Sequence, residues 1–259
     1  MGVINRERKM KTKFYTYIGI VLASCVFLNG CGTTGKNSDP FEKTNRKFYA
    51  FNDAIDKKFV EPVAKTYVKI TPDIFRDGVT NFFDNLGYVN TISNDLLQGK
   101  INYAARDSAR FIMNSTFGIG GLFDPASKIG LEKRSEDLGQ TLAVWGASEG
   151  SYLMVPLLGP SSGRDITSPV MSMATNPMTY IASVFTIPIG FLKAVNSRAN
   201  LLDATRMRDQ AALDPYTFVR EAWRQKRNYD IFDGNPPTED DNFDQILDGE
   251  TDMGVLKVY

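Results

Sequence analysis

The chain is 259 residues long with 30 basic and 30 acidic side chains, so its formal net charge is zero and no basic surplus points to a nucleic-acid partner. It contains no histidine, which removes the usual general base near neutral pH and the commonest metal ligand; a Ser-His-Asp hydrolase and most zinc sites are excluded by composition. Both cysteines, Cys25 and Cys31, lie near the N-terminus, so the remainder has neither a disulfide nor a thiolate metal site, and any catalysis would rest on carboxylate, lysine or tyrosine chemistry.

Lys9, Lys11 and Lys13 precede an apolar stretch from Phe14 to Leu28, which closes on Leu28-Asn29-Gly30-Cys31. A basic region, an apolar core and a small residue before a cysteine make a bacterial lipoprotein signal, with cleavage before Cys31 and lipid on its thiol. Leu22-Ala23-Ser24-Cys25 fits the same box with a shorter apolar core, and Met10 is an alternative start to Met1. An uncleaved anchor is a further alternative, but about 15 apolar residues broken by Thr16, Ser24 and Asn29 fall short of the ~20 a span needs. Residues 1–30 are therefore expected to be signal peptide and residues 31–38, small and polar, a flexible tether. One domain is expected over residues 39–232.

Asp39-Pro40-Phe41-Glu42 supplies an N-cap, a first-turn proline and a glutamate, so a helix should open there. Phe41, Phe48, Phe51, Ile55 and Phe59 recur at helical spacing, which predicts an unusually aromatic buried face. Pro62 and Thr71-Pro72-Asp73 should interrupt and restart the pattern, the second as another capped start. Phe75, Val79, Phe82 and Leu86 then form one helix face, beside which run Asn81, Asn85, Asn90 and Asn94; on spacing alone these asparagines read as solvent-facing or helix-terminal. Gln98-Gly99 is a plausible C-cap.

Residues 102–114 predict another helix, running into Gly118-Ile119-Gly120-Gly121, which lacks the Lys-Ser/Thr of a phosphate loop and reads as a turn. Ser135-Glu136-Asp137 is an acid-rich helix opening before Leu138, Leu142 and Trp145. From Ser168 to Leu192 there is no charge, and Pro169, Pro177 and Pro188 forbid one straight spanning helix. A helical hairpin that dips into a bilayer or packs in the core is the expectation. Ala199–Gln210 and Pro215–Tyr229 read as helices. The segment 233–259 carries eight acidic residues between Asp233 and Asp252 and no basic one there, as a disordered tail would.

Gly146-Ala147-Ser148-Glu149-Gly150 matches the nucleophile-elbow pattern, which needs a strand before it, a helix after it and a histidine base. With no histidine in the chain it reads as a glycine-bounded turn. A serine hydrolase at Ser148 is retained only as an alternative.

Asp39-Pro-Phe-Glu-Lys-Thr-Asn-Arg, Phe51-Asn52, Pro62-Val63-Ala64, Arg76-Asp-Gly-Val-Thr-Asn-Phe, Asn94-Asp-Leu-Leu-Gln-Gly and Arg110-Phe through Gly121 together resemble the MlaA (VacJ) outer-membrane lipoproteins. So do Glu136-Asp-Leu-Gly-Gln-Thr-Leu, Trp145-Gly, Gly159-Pro-Ser-Ser-Gly-Arg-Asp and Leu201-Leu-Asp, all in order between about residues 39 and 230. The sequence departs in showing Gly150-Ser151-Tyr152 where the family often has Gly-Pro-Tyr, and its acidic tail is not a family signature.

The resemblance implies an all-α, single ring-like domain with an amphipathic central channel, embedded in the inner leaflet of the outer membrane against a trimeric porin. It implies removal of misplaced outer-leaflet phospholipids to a soluble periplasmic carrier, with no enzyme activity, cofactor or metal. Gly32 after the anchor cysteine is not the aspartate that retains enteric-type lipoproteins at the inner membrane. A headgroup lane must be polar, because stranding charge in hydrocarbon costs several kcal/mol. Asn81, Asn85, Asn94 and Asn114 are candidate lane residues, and Tyr180, Val184, Phe185 and Phe191 candidate acyl-chain contacts on a membrane hairpin. A structural porin-associated lipoprotein is the other alternative.

Overall fold

The computed structural model describes residues 39–180 and 186–237. The signal peptide, Cys31, the tether, Val184, Phe185 and most of the acidic tail lie outside the described residues. The chain divides into two compact units at Ala211/Ala212.

Helices dominate, as expected for an all-α protein. α1 spans Glu42–Ile55, introduced by Asp39, whose side chain accepts from the Phe41 N–H at 3.0 Å. Pro62 does not break the path. The helix widens into a π turn over Asp56–Val60 and resumes as α2, Glu61–Ile70, with Pro62 in its first turn. A proline lacks the N–H its helix position would use, and the wider turn before it absorbs that loss. α3, Asp73–Leu97, begins after Pro72, whose carbonyl accepts from Phe75 and Arg76. Thr71 closes α2 in extended backbone instead of capping α3.

α3 ends as the glycine predicts. Gly99 takes φ +74°, and Lys100 N–H reaches back to the Asp95 carbonyl at 2.9 Å. The short link through residues 98–100 lays α4, Ile101–Thr116, along α3. The glycine turn follows, with Ile119, Gly120 and Gly121 all at positive φ. α5, Pro125–Lys128, is capped by Asp124, and α6, Leu138–Val144, by Asp137. α7 spans Ser168–Thr175, α8 Thr186–Asn200 and α9 Leu202–Ala211. Ala199 thus lies in the last turn of α8 instead of opening the next helix. In the second unit α10, Pro215–Ile231, is capped by Asp214. Among the described residues no helix is long and apolar enough to cross a membrane.

One feature was absent from the sequence reading: an antiparallel hairpin of β1, Tyr152–Val155, and β2, Gly159–Ser162, pairing Tyr152 with Ser162 and Val155 with Gly159. Two short strands alone are marginal. Here α1 supplies the missing partner. Asn45 donates to the Tyr152 carbonyl at 3.0 Å and accepts from Met154 N–H at 2.9 Å; Asn52, two turns on, donates to the Val155 carbonyl at 3.0 Å and accepts from Leu157 N–H at 2.8 Å.

Candidate functional site

The polarity of the fold is inverted. Among the described residues nine hydrophobic side chains are buried, against fifteen polar or charged ones. The aromatic stripe expected to form core is turned outward: Phe41, Phe48, Phe51 and Phe59 are all exposed, Phe59 by 59%. On the same helix Asn45 is buried on the hairpin edge. Phe75, at the head of the α3 face, is exposed as well. Conversely Asn85 and Asn94, which spacing alone placed toward solvent, are buried.

The buried groups form two seams between α3, α4 and the segment after them. In the first, Arg110 is almost wholly enclosed. Its Nε donates to the Tyr88 hydroxyl at 2.5 Å, one Nη to Asp124 at 2.5 Å and the other to the Leu131 carbonyl. Asn114 donates to Asp124 at 3.0 Å and accepts from Ala126 N–H at 3.1 Å. Burial would raise the Asp124 pKa, but hydrogen bonds from Ser127 and Asn114 and the Arg110 charge outweigh it and lower it. Burial raises Tyr88. Asn85 donates to Ser115 at 2.9 Å and lies under Gly121, where a Cβ would come within 2.6 Å of its side chain. That contact, with φ +93°, is why glycine stands there.

The second seam gathers three buried carboxylates around one guanidinium. Arg134 lies 3.5 Å from Asp95, 3.6 Å from Asp107 and 2.9 Å from Glu136, and stacks on Tyr103 with 3.6 Å to the ring centroid. Lys100 adds a second cation 3.4 Å from Glu136, which also accepts from Gln98 and Gln140 at 2.8 and 2.9 Å. Asn94 accepts from Thr141 at 2.8 Å and donates to the Asn90 carbonyl at 2.9 Å. Neither Asp95 oxygen receives a hydrogen bond from an N–H or hydroxyl donor, although the residue is fully buried. Burial, then the hydrogen bond and charge of Asp107, push Asp95 up to about 7. Burial raises Asp107 too. A proton on Asp95 leaves Asp107 and Glu136 opposite Arg134 and Lys100, which balances the charges.

Asn81 sits on the outer side of α3, accepting from Lys133 at 3.2 Å. Of the hairpin candidates, Tyr180 and Phe191 are both exposed. Ser148 is exposed in an irregular segment with α6 before it and β1 after it, the reverse of the strand-turn-helix order an elbow needs. Among the described residues no group of three His, Cys, Asp or Glu is placed to hold a metal ion.

Asp95, Asp107, Arg134 and Glu136 are not among the candidate site residues that the sequence points to. The available signal was Asp107 and Arg110, one turn apart on the helix face that also carries Ala104 and Asn114, where a charge on the packing face implies a buried partner.

Apolar side chains outside and hydrogen-bonded charges inside define a predominantly helical protein of inverted polarity. The chain belongs to the MlaA lipoprotein family, which matches residues 37–230. It is 36% identical over 206 residues to an uncharacterized protein of Rickettsia bellii, covering 79% of this chain and 80% of that one. It is 32% identical over 242 residues to the intermembrane phospholipid transport system lipoprotein MlaA of Escherichia coli K12, covering 87% and 93%. A solved chain from work on the structural basis for maintenance of bacterial outer membrane lipid asymmetry superposes with a TM-score of 0.66 at 28% identity, covering 77% of this chain and all of that one.

Proposed function

We propose that this protein removes phospholipids misplaced in the outer leaflet of the outer membrane and passes them inward to a soluble periplasmic carrier, anchored by lipid on Cys31 and seated beside a trimeric porin. The observation that carries the reading is the inversion. In water, the exposed phenylalanines of α1 and the turn after it would be a large uncompensated apolar surface. In a leaflet they are solvated, and polar groups must find partners inside the protein, as Arg110, Asp124, Asn94 and Glu136 do in the seams. A phospholipid crossing the hydrocarbon layer needs the same provision for its headgroup. Asn81 would stand at the lane, with Asn85, Asn94 and Asn114 as its polar backing, their side chains already engaged by protein partners. Tyr180, Val184, Phe185 and Phe191 would meet acyl chains. No nucleotide-binding motif is present in the sequence, so flow is passive or driven by the partner.

The test is outer-leaflet phospholipid in cells lacking the gene, complemented with wild type or with Cys31→Ala. Accumulation in the deletion, cleared by wild type but not by the unlipidated form, is the expected result. No accumulation would end the transport reading and leave a protein that braces the envelope.

A further inference from the structure

An open cleft of about 360 Å³ lies between α2 and α8, walled by Val63, Ile70, Phe191, Leu192 and Val195, with Thr66 and Tyr67 between them. Val63 and Ile70 are seven residues apart, so the α2 wall runs roughly 10 Å along its axis. Its rim is apolar and exposed, Ile70 by 72% and Phe191 by 62%, and Ile187 carries the apolar surface one turn further along α8. The floor is closed by hydrogen bonds: the Tyr67 hydroxyl donates to Asn196 at 3.1 Å, and Asn196 donates to Thr80 at 2.7 Å. Deepening the cleft would break that chain, so its depth is fixed.

We infer that this cleft is an acyl-chain slot, occupied by one chain of a phospholipid whose phosphate is met by Lys69. The inference rests on the transport reading above and names a place where the substrate is held. An amphipathic ligand needs an apolar channel with a cation at one lip. Lys69 supplies it: it is exposed on α2 next to Ile70, one turn after Thr66 of the lining, and among the described residues it forms no ion pair. Its neighbour Lys65 is by contrast committed to Glu61 at 2.6 Å. A second protein helix would bring its own polar backbone and side chains to a floor whose hydrogen bonds are already made. A hydrocarbon chain asks nothing of that floor but contact.

The experiment uses delipidated protein in detergent, incubated with vesicles of phosphatidylethanolamine and phosphatidylglycerol, repurified, and assayed for retained phospholipid of each class. Thr66→Trp fills the slot from an exposed position and should cut total retention at least fivefold while thermal unfolding stays unchanged. Lys69→Glu should reduce phosphatidylglycerol about threefold more than phosphatidylethanolamine. Ile187→Trp, apolar and outside the slot, should retain the wild-type amount. Wild-type retention by Thr66→Trp overturns the slot, as does an equal loss in Ile187→Trp, which would mean lipid held by the apolar surface at large. An unchanged lipid ratio in Lys69→Glu overturns the headgroup contact. A deletion strain that accumulates outer-leaflet phospholipid and is rescued by Thr66→Trp would sink the slot and leave the transport reading standing.

Discussion

The α3–α4 seams and the α1–α2–α8 surface obey opposite solvent rules in one chain. In the seams, guanidinium and carboxylate groups are enclosed and tied to each other and to backbone carbonyls. On the surface, phenylalanine and isoleucine lie open. The difference shows that hydrophobic periodicity reports a face, while the surrounding medium decides which way it turns. A substitution in the seams should therefore act on stability, and one on the surface on where the protein resides.

The sharpest test of that division is Arg110→Ala. It would strand Asp124, the Tyr88 hydroxyl and the Leu131 carbonyl in the interior, and should lower unfolding free energy by about 3–5 kcal/mol in denaturant titration. A loss below about 1 kcal/mol would show that water reaches the seam and that the contrast is overdrawn.

Asp95 gives the next largest effect, through pH. Its folded pKa is raised from 3.8 to about 7, so between those values the folded state holds a proton the unfolded state has released. Stability from this group is therefore complete below about pH 4 and declines as pH rises through 7. Asp95→Asn, permanently neutral, should flatten that decline and at pH 8 exceed wild type by about 2 kcal/mol. A pH profile parallel to wild type would show that the pair does not share a proton.

The smallest stability effect belongs to the surface. Phe51→Ser should change unfolding free energy by no more than about 0.5 kcal/mol in detergent, yet reduce co-flotation with phospholipid vesicles. A large destabilisation there would mean the aromatic stripe is core after all.

Much of the helical framework was legible, because its boundaries are written locally. Asp137 and Asp214 cap, Gly99 terminates, and the glycine turn cannot be helix. Three things were not. Pro62 reads as a break in any local view, and only the π turn before it keeps α1 and α2 continuous. The direction of the aromatic face needed knowledge of the solvent. Tyr152–Val155 is too short to show alternation, and Gly159–Ser162 has little strand propensity. Their pairing depends on two asparagines more than a hundred residues away in sequence. The second seam was invisible for a related reason: Arg134 and Glu136 reach it from a loop, where no periodicity marks a buried side.

Those two asparagines carry a consequence for how the molecule behaves in a crowded compartment. The outer edge of β1 would otherwise present free carbonyls and N–H groups, an invitation to any passing strand. Asn45 and Asn52 occupy it with amides spaced two helical turns apart. They also act as a ruler: a hairpin slipped by two residues keeps its own pairing but no longer meets both amides. The helix thus guards the sheet against self-association and against misregister at once, with two side chains and no added strand.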